Sequence, residues 1–383
     1  MTGGAFHLRR LFLSLPLLAT ACAPGRGGQA DGVDLEQAID REAGKMVGQG
    51  VSDAFVIGVV KQGRTWTRSY GDRPLNGAAR PDGDSVFQIG SLTKIFTVAT
   101  LLCLVREGLV SLDDDLSRVV GDRVPLSTAA GAITLRQLAS HTSGLPPIPP
   151  SLMILPRDDA DPYSRLTRQD VYRYLATAEG LRPPGRVEYS NYGMGLLGHV
   201  LEDRAGASLE QLMTTRIFAP LSMSSTFMTP VEASARPLVP GASEAGDPTP
   251  VWRFGALGGA GGLCSTANDM LAFIQAVLAA DGPLQPVLET MHRERGPNDV
   301  RLGWMAPSPV DRIAGNRTIV WHNGRVGGYA SYLSIDVAQR TGVLILSARS
   351  AEVTMSGVML SRTAREHDWR EARQTTDRQP RPR

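Results

Sequence analysis

The sequence predicts an α/β (α+β) fold: an antiparallel sheet flanked by N- and C-terminal helices and interrupted by a large, mainly helical insertion. Three observations lead there. Apolar, β-branched runs bounded by turn residues lie near both ends, at 54–70 and 318–347. The turns between neighbouring runs are short, which implies antiparallel pairing. Between the two groups of strands the pattern is helical and loop-rich. A chain of 383 residues with 42% hydrophobic content could form one large or two modest domains. Strands at both ends favour a single sheet closed by the termini. The domain is accordingly placed at 35–366, with its sheet part at about 35–90 and 251–366 and its helical part at about 91–250.

The first 22 residues read as an export signal: Arg9-Arg10, the apolar run Leu11 to Leu18, then Ala19-Thr20-Ala21-Cys22. The apolar run is too short to span a bilayer permanently. The small residues before Cys22 resemble a lipobox, whose cysteine is acylated and becomes the mature N-terminus, although Ala19 stands where Leu is more usual. Simple cleavage near Ala21 is the alternative. Arg9-Arg10-Leu11-Phe12-Leu13 also resembles a twin-arginine signal. The expected location is therefore the periplasm or, through a lipid on Cys22, the membrane surface of a bacterium. Residues 23–34 form a flexible Gly-containing tether.

Leu35, Ile39, Met46 and Val47 line one face of a helix that stops near Gly48, with Asp34 and Gln37 as a capping pair. Ala54–Val60 and Thr65–Tyr70, joined by Gln62-Gly63-Arg64, read as a hairpin, and 71–84 as a loop. Ile95 to Val105 is apolar nearly all round, the signature of a buried central helix. Asp113-Asp114-Asp115 reads as a solvated helix start, and Ile133–Ser140 as a short helix. Pro146, Pro147, Pro149 and Pro150 make a stiff, non-helical segment. Helices fit 168–178, 191–205, 209–217 and 267–279, and glycine-rich 255–262 reads as a turn before the last of these. Strands follow at 318–322, 329–335 and 343–347, then a last helix marked by Val353, Gly357, Leu360 and Ala364.

The net charge of +2 gives no general attraction to nucleic acid. Its basic excess is local: Arg362, Arg365, Arg370, Arg373, Arg378, Arg381 and Arg383 crowd the C-terminal end, read as a solvated tail, with 367–383 as the basic tail segment. Apart from Cys22 the cysteines are Cys103 and Cys264; a disulfide between them lacks support, and both read as packing residues.

The chemistry concentrates at Gly90-Ser91-Leu92-Thr93-Lys94, at the head of the apolar helix. A nucleophile there has an unpaired backbone N–H beside it, and the helix dipole favours negative charge. Lys94, one helical turn after Ser91, brings an amine within reach of the hydroxyl. Lys45, Lys61 and Lys94 are the only lysines in a chain that otherwise uses arginine, so an amine able to lose its proton is required at 94.

Two further motifs follow in order: Tyr189-Ser190-Asn191 and His322-Asn323-Gly324. With Phe87-Gln88-Ile89-Gly90, the text from Ile133 to Pro146 that includes His141-Thr142-Ser143-Gly144, Pro183-Pro184-Gly185, and Gly261-Gly262-Leu263 before Ser265-Thr266, the chain from about 35 to 348 resembles the penicillin-recognising serine hydrolases. These are the class C β-lactamases, the D-alanyl-D-alanine carboxypeptidases close to them, and the esterases sharing their β-lactamase/transpeptidase-like fold.

The resemblance implies that Ser91 attacks the carbonyl and that Lys94 and Tyr189 relay its proton. Asn191 holds a substrate amide or orients Lys94, and the N–H groups of Ser91 and Arg325 bind the oxyanion. Gly324 lets substrate lie against the strand carrying His322. It implies no cofactor and no metal. The partner is a small-molecule or peptide substrate: a β-lactam, a D-alanyl peptide or a small ester. A penicillin-binding sensor or scaffold that is acylated without efficient turnover is the alternative. His141 reads as a structural turn residue. Two departures matter. His322 stands where class C β-lactamases have Lys, and a neutral imidazole there donates a hydrogen bond but adds little charge. Ile148 is the best match for the glutamine that binds the acyl amide in those enzymes.

Overall fold

The computed structural model describes residues 34–71, 79–229, 237–307, 313 and 318–369. The export signal with Cys22, the tether before Asp34 and the arginines from 370 onward lie outside the described residues.

The main sheet has five strands in the order β2-β1-β8-β7-β6. They are β1 (Phe55–Lys61), β2 (Arg64–Tyr70), β6 (Ile319–Val326), β7 (Tyr329–Asp336) and β8 (Thr341–Ser347). All pairings are antiparallel, and β1 lies against β8 with Phe55 opposite Ser347, so strands from the two ends of the chain join in mid-sheet. Gln62 (φ 52°) and Gly63 (φ 84°) make the left-handed turn whose twist suits a two-residue hairpin.

Residues of β1 alternate between two cores. Phe55, Ile57 and Val59 join the N-terminal helix Leu35–Gly48 and the C-terminal helix Thr354–Glu366. Val56 and Val60 face the larger core of the helical insertion. Both faces are covered, which explains why β1, β7 and β8 are buried throughout.

The apolar helix Thr93–Arg106 is buried from Thr93 to Leu104. Asp115 caps the helix Leu116–Val120 by accepting from Arg118 N, and Thr134 and Gln137 form a capping box at Leu135–Ala139. Cys103 and Cys264 are free and buried.

Several expectations need correction. Asp34 makes no side-chain cap bond to the first helix. The proline run does contain a short helix, Pro150–Met153, because a proline at the first helical position lacks only an N–H that would be unpaired anyway. The segment 255–262 is not a simple turn: Gly255–Leu257 and Gly258–Gly261 are short helices. They pack on the helix Asn191–Ala205 so closely that a Cβ at 259 would stand 2.9 Å from the Met194 carbonyl oxygen. A second sheet, in the order β3-β5-β4, is made of β3 (Phe87–Gln88), β4 (Phe227–Met228) and β5 (Leu263–Ser265). These strands are too short for a period-2 signal to show. The helix Gln285–Arg293 also had no sequence counterpart.

Candidate active site

The three motifs meet where the sheet touches the helical insertion. Ser91 sits in the 3₁₀ turn Gly90–Leu92 that opens the apolar helix. Thr93 Oγ1 donates to Gly90 O (2.7 Å) and accepts from Leu263 N (3.1 Å), fixing the turn against β5. Tyr189 precedes the helix Asn191–Ala205, whose cap Ser190 accepts from Gly193 N. His322 lies within β6, which is longer than the sequence pattern indicated and runs through Gly324 to Val326.

Lys94 is fully buried and its Nζ has three neighbours: Ser91 Oγ at 2.9 Å, Asn191 Oδ1 at 2.8 Å and Ala260 O at 2.6 Å. Tyr189 donates to Ser91 Oγ at 2.6 Å, and Lys94 Nζ lies 4.7 Å from the centre of its ring. Burial pulls the Lys94 amine well below its usual pKa, and burial pushes the Tyr189 phenol up. A neutral amine suits these partners. It has two N–H bonds for the two carbonyl-type oxygens and one lone pair for the Ser91 proton. Asn191 Oδ1 accepts from Lys94, and Tyr163 lies near the Asn191 amide.

His322 is buried, and its Nδ1 lies 2.6 Å from the carbonyl oxygen of Asn323. That oxygen can only accept, so Nδ1 carries the proton and Nε2 presents a lone pair. In this arrangement the imidazole's one N–H is engaged by the backbone. Burial, reinforced by Lys94, pushes the imidazole down to about 3. Its uncharged form is thereby favoured at neutral pH.

β6 is an edge strand, and Val326 opposite Tyr329 closes a two-residue turn. Hydrogen-bonded pairs alternate along an antiparallel ladder, so Arg325 turns its N–H away from β7. The Trp321 carbonyl, an even number of residues back, also faces outward and accepts from Met305 N. Arg325 N points at the nucleophile turn: a Cβ on Gly90 would stand 3.0 Å from it. Gly90 has φ +52°, and a Cβ on Gly324 would collide with Ile89 O. Gly324 thus clears the turn that carries Ser91. Ser331 Oγ on β7 donates to the same Ile89 O at 2.8 Å. The Arg325 side chain is half-exposed and pairs with Glu244 at 2.6 Å.

Sequence reasoning missed the Ala260 carbonyl and the Tyr163 contact. A backbone acceptor leaves no residue-type signal, and a tyrosine outside any motif resembles any other. Ile148 is half-buried against the large core, so it offers no amide to a substrate.

A hydroxyl with an amine and a phenol both in hydrogen-bonding contact, at the seam between a sheet and a helical insertion, places the protein among the serine hydrolases. Residues 39–363 match the Beta-lactamase family, and the chain belongs to that family. Among its relatives is the D-alanyl-D-alanine-carboxypeptidase/endopeptidase AmpH of Escherichia coli strain K12, 29% identical over 335 residues, or 82% of this chain and 83% of AmpH. The fold is similar to that of a β-lactamase/D-alanine carboxypeptidase from Yersinia pestis complexed with citrate (TM-score 0.74, 26% identity, 87% of this chain and 98% of that one). It is also similar to a class C β-lactamase from Rhodobacter sphaeroides (TM-score 0.70, 22% identity, 86% and 97%). No helix among the described residues is long and apolar enough to cross a membrane.

Proposed function

We propose that the protein hydrolyses a D-alanyl peptide, a β-lactam or a small ester through an acyl-Ser91 intermediate. The observation that carries this reading is the pair of contacts on Ser91 Oγ, 2.9 Å from the buried Lys94 amine and 2.6 Å from the Tyr189 hydroxyl. As Oγ bonds to the substrate carbonyl, its proton passes to the lone pair of Lys94. The negative oxygen that forms is held by the N–H groups of Ser91 and Arg325. Lys94 then returns the proton through Tyr189 to the leaving nitrogen or oxygen, and the carbonyl re-forms on Ser91. In deacylation a water gives its proton to the same pair, attacks the ester, and Ser91 departs reprotonated. Asn191 holds Lys94 with its lone pair directed at Ser91.

A neutral His322 supports uncharged groups at its end of the site over carboxylates. The AmpH relative, by its name a D-alanyl-D-alanine-carboxypeptidase/endopeptidase, supports instead a D-alanyl peptide, which carries a terminal carboxylate. The reading includes export with acylation at Cys22 or simple cleavage near Ala21, and a domain over 35–366 with a tail beyond it. Mass spectrometry of the membrane fraction tests the lipid: an unmodified or absent Cys22 there removes it. The enzymatic reading is tested by intact-mass measurement of the mature protein mixed with benzylpenicillin, p-nitrophenyl acetate or a D-alanyl-D-alanine peptide, with the free compound followed alongside. An adduct on Ser91 that forms and clears is expected. A lasting penicillin adduct without turnover would instead support the penicillin-binding alternative, and no adduct or loss with any of the three would overturn the assignment.

A further inference from the structure

The structure assigns to His141 a positioning role: it grips the backbone on either side of Tyr189 and packs on the Tyr189 ring, holding the phenol over Ser91. This inference rests on the roles proposed for Ser91, Lys94 and Tyr189.

The grip has three parts. The His141 carbonyl accepts from Glu188 N at 2.7 Å. Its ring nitrogen Nδ1 accepts from Ser190 N at 3.2 Å. The imidazole lies 4.6 Å from the Tyr189 ring, centre to centre. One residue therefore holds positions 188 and 190 and covers the side chain of the residue between them. It does so only because its backbone is left-handed, at φ 57°, which turns the carbonyl and the ring toward the same segment. Such a conformation is strained for a non-glycine residue, and asparagine or glycine would meet the turn alone at lower cost. A histidine at this position is explained by its ring.

The ring's proton state follows from the geometry. Ser190 N–H is a donor, so Nδ1 is bare and the proton is on Nε2. His141 is buried, and burial, with Lys94 and His322 nearby, pulls its pKa well down. The titratable groups around Lys94 are Tyr189, His322 from β6 and His141 from the turn, with Tyr163 reached through Asn191. The segment Gly258–Gly261 adds the Ala260 carbonyl. Glu188 turns its carboxylate to Arg182, 2.9 Å away. The neutral ring of His141 thus backs the Tyr189 ring, which itself lies over Lys94 Nζ.

The test compares wild type with His141→Asn and His141→Gly, both able to keep the left-handed turn and the carbonyl bond. Acylation of Ser91 by p-nitrophenyl acetate and benzylpenicillin is timed by intact mass across pH. Wild-type acylation by at least one probe is the check on the underlying roles; its absence would remove those roles and this inference with them. With acylating wild type, the variants are expected to acylate about ten- to a hundredfold more slowly. The acid limb of their rate profile should move up by about one pH unit, as a wetter Lys94 holds its proton longer. Variants that fold and acylate at the wild-type rate with an unmoved profile would overturn the role. A second measurement needs no variant: ¹⁵N NMR of histidine-labelled wild type should show His141 as the Nε2–H tautomer, not titrating between about pH 5 and 8. A His141 that titrates in that range, or carries its proton on Nδ1, would overturn the inference independently.

Discussion

Two lysines are buried in this protein, and their surroundings differ in one respect. Lys61, at the end of β1, donates to the carbonyls of Ala364 (2.9 Å) and His367 (2.6 Å) and pairs with the Asp368 carboxylate at 2.8 Å. Lys94 has the same number of polar neighbours at similar distances, but none carries charge. The first arrangement ties the C-terminal helix to the sheet. The second makes the charge easier to lose and so favours a base. A buried amine is thus structural or chemical according to whether a carboxylate accompanies it.

The sharpest way to break the comparison is at the nucleophile that Lys94 serves. Ser91→Ala should remove the covalent adduct and lower hydrolysis by at least about 10⁴-fold; turnover at the wild-type level would sink the mechanism. Lys94→Met should cost acylation about 10³–10⁵-fold. It should also relieve the cost of burying an amine that has no charged partner, so the melting temperature at neutral pH should not fall. Lys61→Met should do the reverse, leaving acylation intact while costing roughly 1–2 kcal/mol in urea denaturation from the lost bonds to the helix end. Equal effects from the two substitutions would dissolve the distinction.

Smaller effects sharpen it. Gly324→Ala forces Ser91 away from β6 and should slow acylation while destabilising by about 1–3 kcal/mol. Normal acylation by this variant would show that the turn has slack. His322→Lys adds the charge that the site lacks, and should raise kcat/KM for a carboxylate-bearing acyl donor against an uncharged ester by about tenfold. Unchanged kinetics on both donors would refute it.

The sign of the pH dependence follows from the same groups. The Lys94 pKa is lowered on folding, so the unfolded chain binds the extra proton and stability rises with pH between the two values. His322, at about 3, adds a loss of stability as pH falls below its unfolded value near 6.5. Thermal melts from pH 7 to 4 should therefore decline, and a flat profile would contradict the lowered His322 pKa.

Much of this was legible in the sequence. The apolar helix after Ser91, the hairpin through Gln62-Gly63 and the three closing strands each carry a local signal, and each is present. The union of β1 with β8 follows from the rule that strands need partners. The site residues Ser91, Lys94, Tyr189, Asn191 and His322 do come together. What was hidden is non-local or lacks a side-chain mark. The helical form of 258–261 depends on packing against Asn191–Ala205, which overrides the poor helix propensity of glycine. The extension of β6 past His322 depends on β7. The grip of His141 depends on a dihedral angle that no residue type announces.

The joining of β1 to β8 bears on the order of events in folding. A hairpin made early cannot find its main partner until the segment ending at Ser347 has been synthesised. Loop closure on that scale is entropically slow, and topologies dominated by distant pairings fold late. Until then the buried face of β1 has no cover, and the turn that carries Ser91, which Gly324 and Arg325 flank from the same late segment, has no strand beside it. The chemistry therefore becomes available only once the chain is nearly whole, so a partly made chain carries the nucleophile without the means to use it.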